Sequence, residues 1–217
     1  AGALHRNGQQ SRVMKLHTLL SVADFERRAQ VLLPRAVLGY VNGGTEDGLT
    51  LQANRDALRA VQFRPKGLVG VAERSQRVTL WGRSYAHPFG IAPMGVTAMC
   101  RHRCEQDLAL AAARHGRVLA AVPRDFPVLI DGGFRRGTDI LKAMALGARM
   151  VFLGRAMLYG AAVAGQAGVA RVIDILGTEI DRNLGLLGCP DVNALDQDFI
   201  VRLRAGHPGM QAGYQIL

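Results

Sequence analysis

The chain has 217 residues, 49% of them hydrophobic and 6% aromatic, and a formal net charge of +10. That length can bury a substantial core as one domain with a small appendage, and the longest apolar runs are broken by Gly or charge before the roughly 20 residues a membrane-spanning helix needs. The charge does not read as a nucleic-acid surface: of 27 basic residues only Lys15, Lys66 and Lys142 are lysines, the 24 arginines are scattered rather than massed in one block, and aromatics are sparse.

Residues 1–13 lack the apolar segment of a secretory signal, and Met14 is a more natural start, so 1–13 is expected as a disordered tail or remnant. Residues 18–33 read as a helix with Ser21 and Asp24 available for capping, and a second helix runs from Pro34 to the break at Gly43-Gly44. Glu46 to Ala60 is again helical in pattern, and Phe63-Arg64-Pro65 opens an extended stretch. Residues 77–89 suggest a small hairpin around Gly82. A short buried strand with a Pro-Met-Gly exit spans Gly90 to Gly95, and an alanine-rich helix over 105–115 stops at Gly116. Val128–Ile130 and Met150–Leu153 read as strands bracketing a helix capped by Thr138 and ended by Gly147; residues 166–187 form a last amphipathic helix. The alternation argues for an α/β protein with a parallel sheet.

Cys100, Cys104 and Cys189 are odd in number and lack disulfide-framework spacing, which suits a reducing cytosol. The run Cys100-Arg101-His102-Arg103-Cys104 holds metal-ligand types, but its two arginines oppose a cation and no second pair completes a tetrahedral set, so no metal is expected. One join is physically odd. A crossover helix should lead into a strand, yet after Gly116 the run Arg117 to Val122 reads as the end of another helix.

Asp131-Gly132-Gly133-Phe134-Arg135-Arg136-Gly137 is a strand-to-helix turn whose glycines let the backbone approach a ligand and whose helix N-terminus favours negative charge. Gly154-Arg155 repeats the device one strand later. Two successive arginine-bearing turns point to a phosphate, which (β/α)₈ barrels often hold after strands seven and eight.

These segments, with PRAVLGYVNGGTEDGLTLQAN (34–54), FRP (63–65), IAPMG (91–95) and GTEIDRNLGLLGC (177–189), resemble the FMN-dependent 2-hydroxy acid dehydrogenases and oxidases, the family of glycolate oxidase, lactate dehydrogenase and oxidase, and mandelate dehydrogenase. The resemblance implies a (β/α)₈ TIM barrel, FMN as cofactor, and oxidation of an L-2-hydroxy acid to the 2-oxo acid by hydride transfer to the flavin. It places Tyr40 against the substrate carboxylate and Pro93, Met94 and Gly95 beside the flavin. Asp131, Gly132, Gly133, Phe134 and Arg135, with Gly154 and Arg155, fall at the flavin phosphate. Gly95 leaves room for a bulky hydroxy acid. The resemblance also implies a homo-oligomer, a tetramer in the family; a cytoplasmic location is expected from the cysteines, with membrane association open.

The family's catalytic histidine and arginine lie in a Ser-Asn-His-Gly-x-Arg run that this chain lacks, Arg114-His115-Gly116-Arg117 being the nearest echo, and no lysine matches the family's flavin lysine. Barrel strands one, seven and eight are therefore expected, and strands two to six are missing at 116/117. The division expected is a tail (1–13), N-terminal helices and hairpin (14–89), a partial FMN-binding barrel (90–188) and a C-terminal tail (189–217). The alternative reading is a catalytically inert shortened relative that binds a phosphate-bearing ligand or a partner.

Overall fold

The computed structural model describes residues 15–95, 97–102, 104, 108, 127–203 and 214–216. Residues 1–13, the 116/117 join, and all of the helix expected over 105–115 except Leu108 lie outside the described residues.

Helix α1 (Val22–Leu32) starts where Ser21 caps it. The Ser21 hydroxyl accepts the Asp24 N–H at 3.3 Å, and the Asp24 carboxylate accepts the Leu20 and Ser21 N–H groups at 2.9 Å, a reciprocal capping box. That cap shortens the helix expected over 18–33, leaving a single 3₁₀ turn at Leu16–Thr18 ahead of it. Val22, Phe25 and Ala29 recur at helical spacing and are buried. Helix α2 (Arg35–Asn42) follows Pro34. Helix α3 (Leu49–Ala60) begins later than the pattern from Glu46 suggests, because Glu46 and Gly48 adopt left-handed φ of +50° and +70°.

Strand β1 (Val61–Phe63) leaves α3 directly. Strands β2 (Val78–Leu80) and β3 (Arg83–Tyr85) form the expected hairpin. Its two-residue loop, Trp81 and Gly82, has φ of +49° and +72°, the positive pair that matches strand twist. The barrel element is a three-stranded parallel sheet of β4 (Phe89–Ile91), β5 (Leu129–Asp131) and β6 (Met150–Leu153) in the order β4-β6-β5. Barrel strands one, eight and seven are neighbours in that order. Register puts Phe89, Val151 and Ile130 side by side on one face, and Gly90, Phe152 and Asp131 on the other. Phe89, Val151 and Leu153 are buried on the first face; on the second, Met150 is buried, while Leu129 is 36% exposed and Asp131 is also exposed, so that face is open on the β5 side.

Helix α4 (Gly137–Ala145) is not capped by Thr138. Its N-cap residue is Arg136, and the Asp139 carboxylate accepts the Arg135 and Arg136 N–H groups at 3.0 Å each; Thr138 lies inside the first turn. The helix closes at Gly147, φ +102°, with the Ala148 N–H bonded to the Ala143 carbonyl at 3.0 Å. Helix α5 (Arg155–Leu187) extends the one expected over 166–187 backwards across a break at Ala164 and Gly165, whose dihedrals are not helical. Gly160 and Gly168 let the turns on either side meet backbone to backbone: a Cβ on Gly168 would overlap the Gly160 carbonyl. Contrary to the expectation from apolar runs, α5 is long and apolar enough to cross a membrane by length and composition. It packs against α1 and α4, and 67% of its most apolar window is buried in the protein. Residues such as Leu176, Ile180 and Leu184 are fully buried there, each contributing about 1.5–3 kcal/mol.

The C-terminal residues return to the start of the fold. Strand β7 (Ile200–Leu203) pairs antiparallel with β1, and β8 (Tyr214–Ile216) pairs on its other side.

Candidate functional site

The C-terminal ends of β4, β5 and β6 open into a cleft of about 520 Å³. Tyr40 from α2, Met94 and Gly95 after β4, Asp131 to Arg135 after β5, and Gly154 and Arg155 after β6 all line it. Every site residue expected from the sequence is therefore gathered here except Pro93, which is exposed and outside the lining.

The turn after β5 needs its glycines. Gly132 and Gly133 have φ of +133° and +78°, which L side chains rarely adopt, and Asn54 of α3 lies 3.5 Å from where each would carry a Cβ. Phe134 is buried and anchors the turn to the core, leaving Arg135 to enter the site. After β6, Met94 packs over Gly154, its sulfur 3.4 Å from where a Cβ would stand. Tyr40 is 59% exposed, so it is not a packed helical aromatic.

Arg135 carries the electrostatic tension. Its Nη1 donates to the Phe134 carbonyl at 2.8 Å, while Nε and Nη2 are buried without a hydrogen-bond acceptor. Burial pushes the guanidinium below its ordinary value, and the neighbouring charges of Arg155 and Arg55 push the same way against Tyr159 and Glu26. Its guanidinium carbon stands 6.0 Å from the centroid of the Tyr159 ring. Tyr159 is 1% exposed, and its hydroxyl donates to Asn42 Oδ1 at 2.7 Å, with Glu26 Oε1 at 3.3 Å. Burial raises the Tyr159 phenol, so it stays protonated beneath the arginine.

The turn is held from behind by Glu179 of α5. Its carboxylate accepts the Gly137 N–H at 2.6 Å and Arg136 Nε at 2.8 Å. Buried unpaired donors are rare in folded proteins and call for an explanation. Here the orphaned donors of Arg135 sit beside two glycine turns and a second arginine, a donor set that suits a dianionic oxyanion. The FMN phosphomonoester fits that set.

Sequence reasoning missed Asn54, Arg55, Tyr159 and Glu179. Asn54 closed a quoted segment, but nothing local marked it as packing against a turn more than seventy residues away. Among the described residues, no histidine or lysine lines the cleft.

Three parallel strands in the order of barrel strands one, eight and seven, with arginine-bearing glycine turns at the C-terminal ends of β5 and β6, define part of a (β/α)₈ barrel. The FMN-dependent dehydrogenase family matches the chain in two stretches, residues 29–119 and 117–202, and the chain belongs to that family. Among curated relatives, (S)-mandelate dehydrogenase of Pseudomonas putida is 57% identical over 74 residues, 34% of this chain and 19% of that protein. L-lactate oxidase of Nostoc sp. is 48% identical over 83 residues, 38% of this chain and 23% of the oxidase. The chain thus spans about a fifth to a quarter of the curated relatives it matches. In structure it resembles a soluble mutant of the membrane-associated (S)-mandelate dehydrogenase of Pseudomonas putida, with TM-score 0.78 and 23% identity over 84% of this chain and 99% of that one. A mutant flavocytochrome b2 with benzoylformate aligns with TM-score 0.79 and 18% identity over 88% of each chain.

Proposed function

We propose that the cleft binds FMN by its phosphate and a 2-hydroxy acid by its carboxylate, as the binding half of an FMN-dependent 2-hydroxy acid dehydrogenase or oxidase. The observation that carries this reading is the buried Arg135 guanidinium with two unpartnered nitrogens between the turns at Gly132-Gly133 and Gly154-Arg155. Arg135 and Arg155 neutralise the phosphate, and the positive-φ glycines let the turn backbone come close to it. Met94 and Gly95 border the same cleft on the β4 side, where the flavin ring would lie. The exposed Tyr40 hydroxyl donates to the substrate carboxylate and orients the carbon that is oxidised.

FMN, when bound, supplies the acceptor for the hydride leaving that carbon. Removal of the hydroxyl proton needs a general base; the family's histidine run is absent from the sequence, and among the described residues the only carboxylate lining the cleft is that of Asp131. Turnover therefore depends on the barrel segment expected between residues 116 and 117, while binding does not. The relatives named for mandelate, lactate and hydroxy acids support the substrate class.

The test is FMN titration by fluorescence quenching of the wild-type protein and Arg135→Met, alongside intact mass and absorbance with and without a 2-hydroxy acid. Saturable FMN binding is expected, weakened about tenfold to a hundredfold in Arg135→Met through loss of charge-assisted hydrogen bonds. With the barrel segment absent from the intact mass, no bleaching of the bound flavin by mandelate or lactate is expected. Failure to bind FMN, or equal affinity in the variant, would overturn the reading.

A further inference from the structure

Behind the glycine turn, on the side away from the cleft, α1, α3 and the start of α4 enclose a second cavity of about 300 Å³. Arg135 borders both cavities, whereas Arg55 lines only this one among the two. The partners of its charged groups can be accounted for one by one. Arg136 is paired with Glu179 at 2.8 Å, and Arg59 with Asp56 at 3.2 Å. The Asp139 carboxylate is occupied by the Arg135 and Arg136 N–H groups, and Glu26 faces the Tyr159 hydroxyl.

Two cations remain. Arg55 and Arg135 pair with no carboxylate among the described residues, and Nε of each is buried without an acceptor. The positive charge of Arg55 is close enough to depress the guanidinium of Arg135. Glu26 on the same wall offsets part of this charge, but the buried Nε donors of both guanidinium groups still lack an acceptor, which costs stability unless an acceptor reaches them. A flavin phosphate in the cleft satisfies Arg135 from one side and leaves Arg55 as it was.

We propose that the cavity between α1, α3 and the Asp131–Gly137 turn is a second oxyanion site, separate from the flavin phosphate corner, that takes a small tetrahedral dianion such as inorganic phosphate between Arg55 and Arg135. Filling it neutralises the back of the turn whose front grips the cofactor. The site is built from α1 and α3, so it does not require the rest of the barrel. The inference rests on the flavin reading only in using FMN as a competitor.

Equilibrium dialysis of the full chain against radiolabelled inorganic phosphate, at about 0.15 M chloride to screen diffuse surface charge, tests it. The wild-type protein should bind two equivalents. Arg155→Gln should lose the one that FMN displaces, and Arg55→Gln the one that FMN leaves in place, with affinity falling about tenfold to a hundredfold. Arg55→Lys keeps the charge and should retain a weakened second equivalent, which separates loss of the site from loss of the fold. If FMN does not bind, the flavin reading fails, but an Arg55-dependent equivalent still supports the second site. A single equivalent wholly displaced by FMN, or phosphate binding unchanged in Arg55→Gln, overturns the proposal.

Discussion

Replacing Gly137 by alanine sets two physical effects of opposite sign against each other. Helix propensity alone favours alanine over glycine by about 1 kcal/mol. The packing disfavours it: a Cβ there would stand 2.6 Å from Glu179 Cβ, 2.8 Å from Ile180 N and 3.0 Å from the Glu179 carbonyl carbon. Two of those three atoms are backbone of a buried helix, which no rotamer change can move aside. Overpacking of this kind costs about 1–3 kcal/mol. Separating α4 from α5 to relieve it would stretch the Gly137 and Arg136 bonds to Glu179, each worth about 1.5–3 kcal/mol as a charge-assisted bond. Glu179 is 8% exposed, so water replaces those partners poorly. After subtracting the propensity gain, Gly137→Ala should destabilise by about 2–4 kcal/mol, a fall in Tm of about 5–15 °C at this chain length. Urea unfolding followed by far-ultraviolet circular dichroism measures it, and Glu179→Gln, which keeps the volume but weakens the bonds, should cost less. A Gly137→Ala protein as stable as the wild type, or more so, would refute the steric argument.

Other perturbations have equally definite signs. Gly168→Ala places a Cβ into the Gly160 carbonyl and should lower stability by about 3 kcal/mol or more, read from the same urea transition. Tyr159→Phe removes the 2.7 Å bond to Asn42 but keeps the ring beneath Arg135, so unfolding should show a loss of about 1–2 kcal/mol with FMN affinity unchanged. Asp181 is held below the usual carboxylate value chiefly by its hydrogen bonds from Arg74, at 3.0 and 2.7 Å, with burial opposing. Its contribution is present above the unfolded value of about 3.9 and is lost as pH falls through the lower folded value. Asp181→Asn should therefore flatten the acid limb of a Tm-against-pH curve below about pH 4, and an unchanged limb would remove the linkage.

The parts of the fold legible in the sequence are those whose cause is local. Ser21 and Asp24 lie within one helical turn, so the α1 cap could be read from spacing, and Trp81-Gly82 between short apolar runs could be read as a tight hairpin. The glycine turn after β5 was legible because positive φ is a demand made by the residue itself. The misreadings share the opposite property. Thr138 has the right chemistry for a cap, but Asp139 accepts the N–H groups because Glu179, forty residues away, has fixed the Gly137 N–H. The pairing of β7 with β1 joins segments well over a hundred residues apart and leaves no local mark. Arg55 looked like one more arginine on an exposed helix, and only the fold brings it to the back of the Arg135 turn.

Why three strands from distant parts of the sequence form one sheet follows from which three they are. Barrel closure makes strand eight the neighbour of both seven and one, so segments from the two ends of the sequence form one contiguous sheet. The strand that delivers Gly154-Arg155, β6, is the central one, hydrogen-bonded on both sides and buried at Val151 and Leu153. The Gly154-Arg155 turn is therefore anchored on the best-supported element, and Glu179 braces the Asp131–Gly137 turn through Arg136 and Gly137. The cost falls at the periphery, where β4 and β5 are edges and the face carrying Leu129, 36% exposed, is open. On the flavin reading proposed above, cofactor binding should need only β6 and its neighbours, whereas turnover should need the rest of the ring.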